Sequence, residues 1–333
     1  MPGSSVLRFS EPYEYQNAVR AAAAELLITS PGLFKAELTR IDLPRLWMQR
    51  GRESLPRIAK VANATSRFPI LFLTHSQGPL VLGRKELFAG EIMIYAPGSE
   101  HYQRSSGEVG WAAMSLAPAD FAAAGRAIAG RELVAPASDH PIRPPPHLIG
   151  RLQHLHEAAG QLAATAPDIL AHPEVAKAIE QELVRAMVAC LVEGTDGEGK
   201  HAAHPRVPVM RRLEQFLGEN ADTPVYLAEV CTAIGVPART LRQHCMDHLG
   251  MGPHQYLWLR RMNLARRSLI RAAPKETTVA TTANNQGFAE LGRFAVAYRK
   301  LFGESPSATL RRTPEPPRDM AVEKSKVGLP ILP

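Results

Sequence analysis

The hydrophobic pattern changes its period twice along the chain. Between about residues 33 and 116, apolar residues occur in short runs such as 69–76 (Pro-Ile-Leu-Phe-Leu-Thr-His-Ser) and 91–95 (Glu-Ile-Met-Ile-Tyr). Gly78, Pro79, Gly83, Gly90, Pro97, Gly98 and Gly107 punctuate them at turn-like intervals. Short β-rich runs with this spacing predict a small antiparallel barrel or sandwich. The alanine run at 21–24, followed by Glu25, reads as the start of a short helix, and 119–130 as a longer one. Beyond a proline-rich turn at 141–146 the period becomes helical. Leu148, Leu152, Leu155 and Leu162 form one stripe, and Val175, Ile179, Leu183, Met187 and Leu191 a second, separated by Pro167 and Pro173. Such a helical pair suits packing on the β domain, on a twin subunit, or on both.

In the last third of the chain the pattern is helix, glycine, helix, and it occurs twice. Residues 227–244 give an apolar helix, a turn at Gly235 and a second amphipathic helix; residues 279–294 repeat the arrangement around Gly287. Between them, 255–271 reads as one long helix in which Leu257, Met262, Leu264 and Leu269 alternate with Arg260, Arg261, Arg266 and Arg267. A helix that enters a DNA major groove needs a tight turn holding it against a bracing helix, and glycine adopts the required φ > 0. One match is weak because helix-Gly-helix is a common packing solution, whereas two in series with arginines after both turns are specific. The reading is therefore α+β: a β barrel or sandwich at 1–130, a helical connector at 131–194 with a possible dimerisation role, and a polar Gly/Pro-rich linker at 195–208. An all-α tandem helix-turn-helix domain follows at 209–312, and a disordered proline-rich tail at 313–333.

Charge placement strengthens this reading. Residues 205–312 hold 16 Lys and Arg against 8 Asp and Glu, a local +8, so the rest of the +7 chain is −1. A basic patch supplies salt-dependent affinity for nucleic acid through counterion release; alone, it would equally be a solvated face. Hydrophobic content of 45% is enough for packed cores. No apolar run is long enough to span a bilayer, the first twenty residues lack a signal-peptide core, and three distant cysteines (Cys190, Cys231, Cys245) form neither a disulfide framework nor a Cys-x-x-Cys site. A reducing cytoplasm is the expected compartment, with the cysteines as small core fillers. His147, His154 and His156 lack an i, i+4 partner with a glutamate and read as surface histidines. His75 and His101 do not make a His-x-His pair, so neither a metal nor another cofactor is expected, and no catalytic set is present.

Residues 209–310 resemble the DNA-binding domain of AraC/XylS-type transcription regulators. The match rests on Gly235 and Val236, Leu241, the run from Leu249 to Pro253, Tyr256, Leu257, Arg261, Ala265, Gly287, Phe288, Arg293, Phe294, Phe302, Gly303, Ser305 and Pro306. Residues 249–262 and 291–311 resemble the branch that includes the ethanolamine-utilisation regulator, and 90–98 with Trp111 resemble, more loosely, that branch's cupin-like regulatory domain. The resemblance implies a homodimer, a small-molecule effector of amine or amino-acid type, and RNA polymerase as a partner if the protein activates. It also implies that Arg261 is a buried structural partner. Departures are Pro237 at the usual Ser cap, which loses roughly 1 kcal/mol, Cys245 at a buried aromatic position, Thr282 at an aliphatic one and Ala289 where close relatives often carry Trp. With the weak helix formers Asn284, Asn285 and Gln286, the second unit is expected to be the less stable.

The residues themselves assign roles. Arg239, Thr240, Arg242 and Gln243 lie at the start of the first recognition helix, with Leu241 and Cys245 on its buried side. Arginine grips guanine bidentately and glutamine adenine, while phosphate contact is an equal alternative. In the second unit Glu290 and Arg293 open the helix, and Phe294 and Tyr298 face inward. Arg260, Arg299 and Lys300 are expected near phosphates. The long helix should space the two recognition helices by about one turn of DNA, roughly 34 Å. The reading is a double-stranded DNA-binding transcription regulator with an effector-sensing β domain. The alternatives are a metal-dependent or other small-molecule enzyme on the β domain and a ligand-independent DNA-binding scaffold.

Overall fold

The computed structural model describes residues 3–83, 85–196, 208–220, 223–272, 277–312 and 318–319. The expected linker and tail fall almost wholly outside these residues. Only 195–196, 208 and 318–319 of them are described, as two short strands and the start of a helix.

The N-terminal region runs β1 (Gly3–Phe9), α1 (Pro12–Ala18), β2 (Ala22–Ile28), β3 (Ala36–Asp42), β4 (Trp47–Glu53), β5 (Arg57–Asn63) and β6 (Phe68–Ser76). It continues through β7 (Leu80–Leu82), β8 (Lys85–Leu87), β9 (Ile92–Ile94), β10 (Glu100–Arg104) and β11 (Val109–Leu116). Then come α2 (Pro118–Ala129), β12 (His140–Arg143), α3 (Pro146–Thr165), α4 (Pro167–Ala171), α5 (Pro173–Glu193) and β13 (Thr195–Asp196). The C-terminal domain comprises α6 (Pro208–Glu219), α7 (Leu227–Ile234), α8 (Ala238–Leu249), α9 (Pro253–Arg271), α10 (Val279–Asn285), α11 (Leu291–Phe302) and α12 (Pro306–Arg311), with β14 (Arg318–Asp319) returning to pair with β1.

The strands form two antiparallel sheets, ordered β13-β12-β9-β6-β11-β4-β3-β1-β14 and β2-β5-β10-β7-β8. The architecture is a sandwich, not a closed barrel. Alternation along β6 explains how it packs. Phe68, Ile70 and Phe72 point outward to the helices, while Leu71 and Leu73 point between the sheets. Both faces of the larger sheet are therefore covered, so its central strand reads as a continuous apolar run. On the outer face α2, α3 and α5 bury Phe121, Leu152, Leu183 and Met187, so the connector helices pack on the β domain.

Two local expectations are overturned. Residues 22–28 form a strand, because Ala22, Ala24 and Leu26 alternate against β5 and pairing outweighs the helix propensity of alanine. Residues 141 and 142, expected in a turn, pair with β9 as part of β12.

The smaller sheet turns its other face to the C-terminal domain. Leu27, Ile58 and Tyr102 leave the sandwich core and pack with Val209, Leu213, Leu217 and Leu257. The two domains are thus docked through an apolar seam, and Glu11, just before α1, reinforces it. Its carboxylate accepts from Arg266 Nε at 3.0 Å, Arg266 Nη2 at 2.8 Å and Arg312 Nη1 at 2.5 Å. Glu304 completes the group, 2.9 Å from Arg266 and 2.6 Å from Arg312.

Candidate nucleic-acid interface

The first helix-turn-helix unit is α7 and α8, the second α10 and α11. Gly235 ends α7 at φ 66°, and Gly287 sits in the second turn at φ 73°. The first recognition helix α8 buries Leu241, Cys245 and Leu249 and presents Arg239, Arg242 and Gln243 to solvent, with Thr240 half-buried. Gln243 Nε2 donates to Asp247 Oδ1 at 2.9 Å, one turn on. The second recognition helix α11 buries Phe294, Tyr298, Leu301 and Phe302. Tyr298 donates to Thr309 Oγ1 at 2.9 Å, which ties α11 to α12. Glu290 and Arg293 form a pair at 2.9 Å with 65% and 83% of their side chains exposed. Such a pair is worth less than about 1 kcal/mol, so a phosphate or base edge can displace it. Arg299 and Lys300 stand exposed in the last turn.

Arg260 is a correction. Its side chain is buried, and its guanidinium donates to the carbonyls of Leu217 and Asn220, both at 2.8 Å, and of Thr223 at 3.5 Å. These bonds tie α9 to the C-terminal end of α6 and to Thr223, and they withdraw the guanidinium from any phosphate. Arg261 instead bridges the two units. It lies 5.1 Å from the ring centroids of both Tyr226 and Phe288 and donates to Gly287 O at 3.3 Å. Arg267 and Arg271 lie over the ring of Tyr13, on the sandwich side. Helical periodicity separates buried from exposed faces but does not show which loop carbonyls or which domain a buried arginine meets.

The recognition helices also expose apolar side chains that the sequence reading passed over: Val296 at 72%, Met246 at 45% and Leu291 at 40%. Their signal was present, because each falls on the polar face of an otherwise amphipathic helix.

A second feature lies between the sheets. A cleft of about 700 Å³, a figure that includes open solvent, is lined largely by apolar residues of β2, β5, β6 and β11, with a polar cluster around Glu53. Glu53 Oε1 accepts from Tyr15 OH and Trp111 Nε1, each at 2.9 Å, and Oε2 accepts from Arg57 Nε at 2.7 Å. Burial beside this carboxylate pushes the Tyr15 phenol well above its usual range. Arg20, after α1, borders the mouth; its amide donates to Gln49 Oε1 at 2.7 Å, and Gln49 Nε2 donates back to Arg20 O at 2.8 Å.

Burial pushes the thiols of Cys190 and Cys245 up to about 12, so at neutral pH they are protonated and poor nucleophiles. Among the described residues, no three or more His, Cys, Asp or Glu side chains gather as a metal-binding group, and no helix is long and apolar enough to cross a membrane. His156 is another correction. It is buried beneath α3 against Phe72, not on the surface as expected.

Comparison with known proteins agrees with this geometry. Residues 230–312 match the helix-turn-helix domain family. The chain is 34% identical over 136 residues to the "Probable thc operon regulatory protein" of Rhodococcus erythropolis, a match covering 38% of this chain and 41% of that one. It is 32% identical over 103 residues to the "XylDLEGF operon transcriptional activator 2" of Pseudomonas putida, covering 31% of this chain and 66% of that one. The chain thus spans about two fifths of the first relative's length and just under two thirds of the second's. The solved AraC-like transcriptional activator CuxR aligns over 80% of this chain and 96% of its own, at 16% identity and a TM-score of 0.37. Residues 230–312 are a helix-turn-helix domain.

Proposed function

We propose that the protein is a sequence-specific, double-stranded DNA-binding transcription regulator, acting in the cytoplasm as a homodimer. The observation that carries the reading is the exposure of arginines on both recognition helices while the apolar faces of those helices are buried. Arg239, Thr240, Arg242, Gln243 and Arg293 are the base-edge candidates, with Glu290 accepting from cytosine and Arg299 and Lys300 on phosphates. Similarity to named transcriptional activators favours activation, with RNA polymerase as the further partner. The cavity between the sheets is the effector site, and α1 is the route by which occupancy reaches the DNA-binding domain. Its Tyr15 touches the cavity's carboxylate one turn from Glu11, which holds Arg266.

The test is a gel-shift titration against the DNA upstream of the gene at several salt concentrations. Each phosphate contact contributes about 0.9 to the slope of log affinity on log salt. Arg299→Ala is expected to lower the slope by about one with little loss of sequence preference, and Arg239→Ala to weaken the preference itself. Absent or salt-insensitive binding overturns the reading.

A further inference from the structure

The polar cluster in the cavity is not balanced. Every oxygen of Glu53 is engaged, by Tyr15, Trp111 and Arg57. Gln103 Oε1 accepts from Arg57 Nη2 at 3.3 Å, and Gln103 Nε2 contacts Tyr95 OH at 3.3 Å and His101 Nε2 at 3.0 Å. Arg57 Nη1 is different. The Arg57 side chain is only 3% exposed, and Nη1 is buried without a hydrogen-bond partner. Arg57 itself lines the cavity. Arg57 Nη1 is thus a donor that lacks an acceptor, and a buried guanidinium N–H in that state is costly.

Net charge narrows the ligand further. Arg57 is already neutralised by Glu53 at 2.7 Å, so a ligand carboxylate would put a second anion beside the same guanidinium in a buried site. An ammonium could reach Glu53 only beside the Arg57 guanidinium, a second cation in the same buried site. A neutral acceptor meets neither penalty. Most of the remaining lining is apolar, including Ala22, Leu26, Val61 and Leu71, with Arg20, Gln49, Asn63 and Ser115 as its other polar members.

We propose that this cavity binds a small, predominantly apolar, uncharged molecule whose carbonyl oxygen, of amide or ester type, accepts from Arg57 Nη1. The proposal rests on the reading of the cavity as an effector site and replaces the amine or amino-acid type that family resemblance implies.

Calorimetric titration of the full chain with matched amides, carboxylates and amines bearing propyl, butyl or phenyl bodies tests it. At least one amide is expected to bind, ten-fold or more tighter than the acid and amine of the same body. Arg57→Lys keeps a cation for Glu53 but lacks the second donor, and should weaken that amide at least ten-fold. An acid or amine that binds as tightly as its amide overturns the proposal. So does amide affinity unchanged in a folded Arg57→Lys protein, or no amide binding at all, which would leave Nη1 to water. If the variant does not fold, the ranking of the three series on the unaltered protein decides. Gel shifts on the same samples separate the two ideas. DNA binding without amide binding refutes only the ligand class, and amide binding without DNA binding refutes only the regulator.

Discussion

At the scale of single residues, exposure and burial each carry a consequence. Val296 lies on the exposed side of α11 with Arg293, Arg299 and Lys300, and among the described residues nothing covers it. An aliphatic side chain in that place is suited to a thymine methyl group. Covering one methyl is worth about 0.8 kcal/mol, close to four-fold in affinity. Replacing one thymine of the operator by uracil should therefore weaken binding about that much, and Val296→Ala should make the protein indifferent to the replacement. If no thymine position shows this loss, Val296 reads no methyl. His156 gives the opposite case, a polar residue fully buried. Burial first, and then the Arg50 guanidinium, lower its pKa to about 3. The folded protein holds the ring neutral while the unfolded chain takes a proton near pH 6.5. The stabilisation is therefore complete above pH 6.5 and lost as pH falls towards 3, with a slope of up to about 1.4 kcal/mol per pH unit. Denaturant melts of His156→Leu should show a shallower loss of stability between pH 6 and pH 4 than the unaltered protein. Parallel pH profiles would show that the ring does not titrate in this way.

At the scale of elements, the two turn glycines look alike in sequence but not in surroundings. A Cβ on Gly235 would meet nothing nearer than Arg212 Nη1 at 3.8 Å, so Gly235→Ala carries only the left-handed backbone cost, about 1–2 kcal/mol. At Gly287 a Cβ would fall 3.1 Å from Pro224 and closer still to the Tyr226 hydroxyl. Gly287→Ala is therefore expected to cost more than Gly235→Ala and to expose α10 and α11 to amide exchange; equal costs would contradict the packing argument. This contrast also marks what could be read from the sequence. Helix positions, the inward Leu241 and Phe294 and the exposed arginines of α8 followed from periodicity, a local property. The strand at 22–28 did not, because its partner β5 lies about thirty residues away and pairing decides it. Nor did the burial of Arg260, which depends on the carbonyls of a loop forty residues upstream. The cavity was legible only as a β domain able to hold one, since Tyr15, Glu53, Arg57 and Trp111 meet through long-range pairing.

At the scale of the whole molecule, the question is what makes two domains behave as one. The apolar seam around Tyr102 and Leu217 holds them face to face, but hydrophobic contact is non-directional. The group of Glu11, Arg266, Glu304 and Arg312 has directed bonds and two charges of each sign, so it can set the angle of docking. Its central pair is nearly buried, with 6% of the Glu11 side chain and 9% of Arg266 exposed, while Arg312 lies at the surface. Removing one partner from such a pair costs about 3–5 kcal/mol, because the other charge stays buried. Glu11→Gln should therefore loosen the docking without touching either core. Trp111 sits in the sandwich and Trp258 packs in the core of the second unit, so fluorescence of variants keeping one or the other follows each domain. In the unaltered background the two unfolding transitions are expected to coincide; with Glu11→Gln the Trp258 transition should move to lower denaturant than the Trp111 transition. Coincident transitions in both backgrounds would assign the docking to the apolar seam alone. The proposed route from cavity to recognition helices through α1 would then lose its rigid end, because it requires Glu11 to hold Arg266.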